Sequence, residues 1–339
     1  MNKINEFEHA TSLNCETGVM RNLLHHKGMQ ISEDMIFGIG SGLYFIHFPF
    51  IKMGTVEPLT SYRYTPGSII KNVSKLLDID ITVKTFKNAD DAMLGLDEKI
   101  EDGTVVGITG DLYYFEVFPE FLSFHFNNHN LVVYGKADDQ YLVSDPIVEN
   151  VLTITEENMK KARYVKAPDN PKGRMYWVNQ IHNKNPDLRE AVYKGLKKTC
   201  KRMLNPYFPF GGIKGMRLLA KALKKYPQKR SQNYAEKHLV NMIRHQEFVG
   251  SGGSGFRKQF GKFLLESGEL LNNPVYSEYG KEMMEVIVPE WRGFAIDMAR
   301  CSRKPVDTIP EAYRDLAARL RKIAGMEYQY FNRLSKAIQ

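Results

Sequence analysis

The sequence predicts an α+β domain followed by a mainly α-helical one. Three observations carry that expectation. In the first half, apolar residues switch between helical and alternating spacing and end in an antiparallel hairpin over residues 129–145. After residue 170 almost every segment keeps a helical period. The charge also reverses. Up to Asn170 there are 15 Lys+Arg against 24 Asp+Glu, a net of −9, and from Pro171 onward 32 against 15, a net of +17, which together make the chain's +8. The expected division is therefore a domain over 1–170 and a basic helical domain over 171–339, joined at Asp169-Asn170-Pro171-Lys172-Gly173.

The elements follow in order. Ser12 or Asn14 caps a helix that starts at Cys15, carries Val19, Met20, Leu23 and Leu24 on one stripe, and leaves at Gly28. Met35 to Ile51 is apolar, with breaks at Gly38, Gly40 and Gly42. Ser68 to Leu77 is a second helix with Ile69, Ile70, Val73, Leu76 and Leu77 on one side. Ile81 to Phe86 alternates as a strand, Asp90 to Glu101 is helical, and Thr104 to Thr109 is a buried strand. His129 to Tyr134 and Gln140 to Asp145 are two strands around a turn at 135–139, and Val151 to Ile154 follows. Helices preceding an antiparallel core suit an α+β sheet better than alternating βαβ units. The helical half reads as Asp187–Leu204, Lys214–Tyr226, Asn233–Phe248, Phe256–Asn272, Tyr276–Ala299 and Ile309–Ile338.

The chemistry concentrates at Cys15 and the hairpin. A thiol in a helix's first turn sits at the positive end of the macrodipole, which favours the thiolate. If Tyr134 pairs with Gln140, then His129 falls opposite Asp145, where cross-strand neighbours lie roughly 5 Å apart at Cβ. A thiol beside that pair completes a nucleophile, base and orienter. A Cys in an apolar helix also serves as a small core residue, and His125, Asn127 and Asn128 leave the choice of base open.

Several separated motifs extend this reading. Cys15-Glu16-Thr17, Arg21-Asn22-Leu23-Leu24, Ile31-Ser32-Glu33 and Phe37-Gly38-Ile39-Gly40-Ser41-Gly42-Leu43 resemble the butirosin-biosynthesis protein H, N-terminal family. So do Gly110-Asp111-Leu112-Tyr113-Tyr114, His129 to Gly135, and Ser144-Asp145. The run Gly250-Ser251-Gly252-Gly253-Ser254-Gly255-Phe256-Arg257, with Phe263-Leu264, resembles the helical domain that accompanies it. The resemblance implies a papain-like, double-glycine-peptidase-like sheet domain with an N-terminal Cys helix. It implies Cys15 as nucleophile, His129 as base and Asp145 as orienter. The implied activity is transfer of an acyl group from a carrier protein to an amine, and the same triad would serve a cysteine hydrolase or be retained in a non-enzymatic binding protein. Many relatives carry His just before the Cys, where this chain has Asn14. His9 lies at the offset where papain-like folds often place an oxyanion donor, usually Gln. Tyr113 and Tyr114 are candidates for an acceptor pocket, and Arg257 for a contact to the acyl donor.

Composition narrows the rest. Cys15, Cys200 and Cys301 have no paired spacing, which argues against a disulfide framework and a zinc site and fits a reducing cytoplasm. The N-terminal residues show no export signal, and the run from Met35 to Ile51 falls short of a ~20-residue membrane span. The Gly38–Gly42 run lacks the strand, helix and downstream acid of a dinucleotide site and reads instead as a turn supporting the Cys15 helix. Gly250–Gly255 either cradles a phosphate or joins two helices. The basic helices (Lys194 to Arg202 and Lys214 to Lys225) show no nucleic-acid reading motif. They point instead to an acidic carrier protein or to the phosphates of coenzyme A as the thioester co-substrate, with no resident cofactor. The acidic first half favours a cationic small-molecule amine as acceptor.

Overall fold

The computed structural model describes residues 2–4, 6–53, 57–117, 124–167 and 170–338. In chain order the first elements are β1 (Asn2–Lys3), α1 (Cys15–His26), α2 (Glu33–Ile39), β2 (Leu43–Met53), β3 (Glu57–Arg63), α3 (Ser68–Leu76) and β4 (Ile79–Lys84). Then come α4 (Ala89–Glu101), β5 (Val106–Gly110), β6 (His129–Ala137), β7 (Gln140–Ser144), β8 (Leu152–Thr155), α5 (Glu156–Arg163) and β9 (Met175–Ile181). The helical remainder is α6 (Arg189–Leu204), α7 (Gly212–Leu223), α8 (Tyr226–Lys229), α9 (Gln232–Ile243), α10 (Arg257–Leu270), α11 (Pro274–Glu282), α12 (Val288–Ser302) and α13 (Pro310–Ala337).

The chain divides into two compact units, 1–36 with 69–186, and 37–68 with 187–339. A boundary at 170 would cut β9 out of the first unit, where it lies between β4 and β5 in an antiparallel sheet of order β4-β9-β5-β6-β7-β8, with β1 on β6. Met175, Tyr176 and Val178 are buried, so β9 has no one-sided alternation to mark it as a strand in the sequence. The glycine-rich segment 38–42, expected beside α1, belongs to the second unit: Gly38 has no room for a Cβ against the Phe263 ring, and Ser41 Oγ donates to Gly195 O at 3.2 Å.

Strand alternation organises the first unit. Val106, Ile108, Leu131, Val133 and Val143 share one core cluster with Met93, Leu96 and Ile100 of α4 and Met159 and Ala162 of α5. Asn130 and Val132 point the other way, toward the face on which α1 packs along β6 and β5. In the second unit, the β2–β3 hairpin packs against α7 and α9, and α13 packs against α6, α7 and α12. The expected helices are present with small shifts of boundary. The expected segments 233–248 and 276–299 each contain a π turn, at Arg244–Phe248 and Met283–Ile287. Among the described residues no helix is long and apolar enough to cross a membrane.

Candidate active site

The first turn of α1 is built around Cys15. Asn14 has extended backbone and its Oδ1 accepts from Glu16 N at 3.0 Å and Thr17 N at 3.2 Å, a side-chain N-cap. One carboxylate fixes the approach to the helix, since Glu33 accepts from Leu13 N at 2.9 Å, Asn14 N at 2.8 Å and Thr17 Oγ1 at 2.7 Å. Asn14 is thus the helix cap and is 2 % exposed. Gly28, at φ 85°, follows the helix end where an L side chain would be strained.

Asp145 reaches His129 by a different register from the expected one. The turn is a tight one over Asp138-Asp139, with Asp138 at φ 54° and Ala137 paired with Gln140. A bulge at Tyr134 then shifts the ladder, so that Val133 pairs with Val143 and Val132 with Ser144. The strand ends there, and Asp145 extends from the exit so that its Oδ2 lies 2.6 Å from His129 Nε2. Its other oxygen accepts from Ile147 N at 3.0 Å.

With Nε2 committed to Asp145, Nδ1 is the nitrogen left for the sulfur. The Cys15 thiol and the His129 ring are hydrogen-bonded, and both side chains are buried together with Asp145. Burial alone would lower the His129 pKa. The Asp145 carboxylate and the Cys15 sulfur, by charge and hydrogen bonding, outweigh it and push it up to about 10. A protonated imidazole held beside a sulfur favours the thiolate form of that sulfur.

Asn130 is a site residue that sequence reasoning missed. Its Nδ2 lies 3.7 Å from Cys15 Sγ, and its Oδ1 accepts from Thr109 Oγ1 at 3.1 Å and Tyr176 OH at 3.0 Å. The signal was present, because the residue after a strand-starting His lies on the opposite face, but that face is identified only once α1 is packed on it. Tyr176 comes from β9, the strand the sequence did not mark.

The expected auxiliary residues are placed as follows. His9 is not an oxyanion donor: its Nε2 donates to Val148 O at 3.1 Å and its Nδ1 takes the Ser144 hydroxyl at 2.7 Å, so both nitrogens are used. It pins the segment before α1 to the turn after β7, together with Ser12 N donating to Pro146 O at 2.6 Å. Arg257 is not a donor contact. It is fully buried in the second unit, with Nε and Nη2 at 2.8 and 3.0 Å from Glu327 and Nη1 donating to Gly255 O. In the glycine-rich loop before it, Ser254 N donates to Glu247 Oε2, Gly253 N to Ser251 Oγ and Ser251 Oγ to Gln246 O. Register pairs Gly110 with His129, so Asp111 to Tyr114 leave the sheet at the end where His129 enters it. There Asp111 accepts from His125 Nδ1 at 2.6 Å, and the Tyr113 ring lies 4.5 Å from that of His125. His125 therefore forms its own pair with Asp111 rather than replacing His129.

Two family profiles match the chain. "Butirosin biosynthesis protein H, N-terminal" covers residues 14–146, and "Domain of unknown function (DUF4872)" covers residues 157–334. The second covers more than half of the chain, which belongs to that family; the first is the family that its N-terminal part matches. The first spans Cys15, His129 and Asp145, so the candidate site lies within it. A solved structure described as a C39-like peptidase from Bacillus anthracis aligns over 52 % of this chain and 96 % of its own, at 12 % identity and a TM-score of 0.36. No curated protein matches the chain.

Proposed function

We propose that the protein is an N-acyltransferase that moves an acyl group from a thioester to an amine of a small molecule, in biosynthesis inside a reducing cytoplasm. The observation that carries this is Cys15 at the start of α1, hydrogen-bonded to a His129 whose other nitrogen is held by Asp145. The matched family's name, a biosynthesis protein, supports transfer over degradation. Three free, buried cysteines fit the reducing compartment.

The Cys15 thiolate attacks the thioester carbonyl, forming the new S–C bond. The leaving thiolate takes the His129 proton as the tetrahedral intermediate collapses. An amine then attacks the acyl-enzyme, His129 accepts its proton, and the Cys15 thiolate departs to regenerate the site. Asp145 holds the imidazole orientation throughout. Asn130 Nδ2, 3.7 Å from the sulfur, supports the oxyanion. An acidic first half favours a cationic acceptor.

Mass spectrometry of the intact protein after incubation with acyl thioesters tests the proposal. The expected result is one acyl adduct on Cys15, discharged to product by added amines. An adduct that discharges equally fast without amine would assign a hydrolase, and no adduct across a broad panel of donors would defeat the covalent reading.

A further inference from the structure

The last turns of α7 and the matching face of α13 line a solvent-open hollow of about 480 Å³ on the helical unit. That volume lies in the range of roughly 300–1,000 Å³ usual for small-molecule sites. Arg217, Lys221, Lys224, Lys225, Arg314 and Arg321 line it, and Gln228 is the one uncharged residue beside them. The spacing explains the convergence. Positions 217, 221, 224 and 225 share one side of α7 and its exit, and 314 and 321 lie two turns apart on α13. The opposite sides of these helices bury Met216, Leu219 and Leu223, and Tyr313, Leu316 and Leu320.

Charge pairing lapses at this hollow. Elsewhere on α13, Arg319 pairs with Asp297 and Glu290, Lys322 with Glu290, and Arg333 with Glu282. Around the hollow, the single ion pair among the described residues joins Arg314 to the exposed Glu311, at 3.7 Å. Arg217 lies over the Tyr328 ring at 5.7 Å, and Arg321 Nε donates to Ala317 O, so two guanidinium groups are held by neutral partners. Cations at a helix C-terminus complement its dipole, which accounts for one or two lysines of α7 but not for two arginines brought in from α13. Six cations facing one space repel each other unless an anion joins them.

We propose that this hollow binds a small ligand bearing a chain of two or more phosphates, as in a nucleoside polyphosphate or coenzyme A. Six cations gathered on one spot suit a compact polyanion better than a nucleic-acid strand, which needs a track of cations extended along a surface. The proposal is independent of the Cys15 chemistry, although coenzyme A bound here would be a thioester carrier for that reaction.

Calorimetric titration of the full-length protein at physiological ionic strength tests it, using tripolyphosphate, ATP, coenzyme A and a single-stranded RNA. One-to-one binding of at least one of the three small polyphosphates is expected. Lys221→Gln with Arg321→Gln should weaken it by about tenfold or more while leaving the melting curve and the rate of Cys15 alkylation unchanged. Lys224→Gln with Lys225→Gln supplies a second pair should the first fail to fold. Coenzyme A or ATP binding more tightly than tripolyphosphate assigns a contribution to the nucleoside; equal binding assigns recognition to the phosphates alone. No binding of the three, undiminished binding by both double variants, or tighter binding of RNA with several proteins per strand would overturn the proposal. Because Cys15 acylation is read separately, loss of either reading leaves the other standing.

Discussion

At the residue scale, His129 rather than the helix is expected to hold Cys15 as a thiolate. Much of the amide field at the start of α1 is taken by Asn14 Oδ1 and the Glu33 carboxylate. His129→Ala should therefore move the pH midpoint of iodoacetamide alkylation at Cys15 up to the ordinary thiol value of about 8.5, with wild type reacting well below it. An unchanged midpoint would assign activation to the helix. The same pair has a stability signature. A folded-state pKa raised from 6.5 to about 10 gives stabilisation that is fully present below pH 6.5 and lost as pH rises through 10. Thermal melts should show that loss in wild type and a smaller one in His129→Ala. Asn130→Ala separates a second role. Removing one oxyanion donor should cost about 10²–10³ in acyl transfer. Alkylation, which forms no oxyanion, should change far less; equal loss in both would mean that Asn130 only positions the sulfur.

At the element scale, the meeting of α1 with the hairpin exit depends on Gly18. A Cβ there would lie 2.6 Å from both Pro146 and Ser12, so Gly18→Ala must push α1 away from the turn that carries Asp145. Loss of stability of about 1–3 kcal/mol is expected, with the alkylation midpoint moving toward that of His129→Ala; a shift in melting alone would confine Gly18 to packing. This contact shows how much of the site was legible. The start of α1 was legible because Asn14 carries a capping side chain and Val19, Met20, Leu23 and Leu24 carry the period. The His129–Asp145 partnership was legible as proximity, but its register was not. A one-residue bulge at Tyr134 leaves no mark in a fully buried strand, because there is no polar face to reverse. Asn130 and β9 escaped for the same reason. His9 and Arg257 were misplaced because residue type and offset do not reveal that a side chain's hydrogen bonds are already used by Val148, Ser144, Glu327 and Gly255.

At the scale of the whole molecule, the helical unit is organised on a buried charge cluster. Glu327 accepts from both Arg257 and Trp291 Nε1, the latter at 2.6 Å, while the Arg257 guanidinium lies 4.5 Å over the Trp291 ring. Glu327→Ala leaves an unpaired buried guanidinium and should cost about 3–5 kcal/mol in urea unfolding. A small effect would show that solvent enters the cluster. The unit is also discontinuous in sequence, since residues 37–68 belong with residues 187–339. During synthesis the hairpin of β2 and β3 therefore leaves the ribosome long before α7 and α9, the helices that cover it. A two-stranded hairpin is marginal alone, so the nascent chain must carry Phe45 and Tyr62, wholly buried in the finished protein, in the open until its C-terminal half arrives.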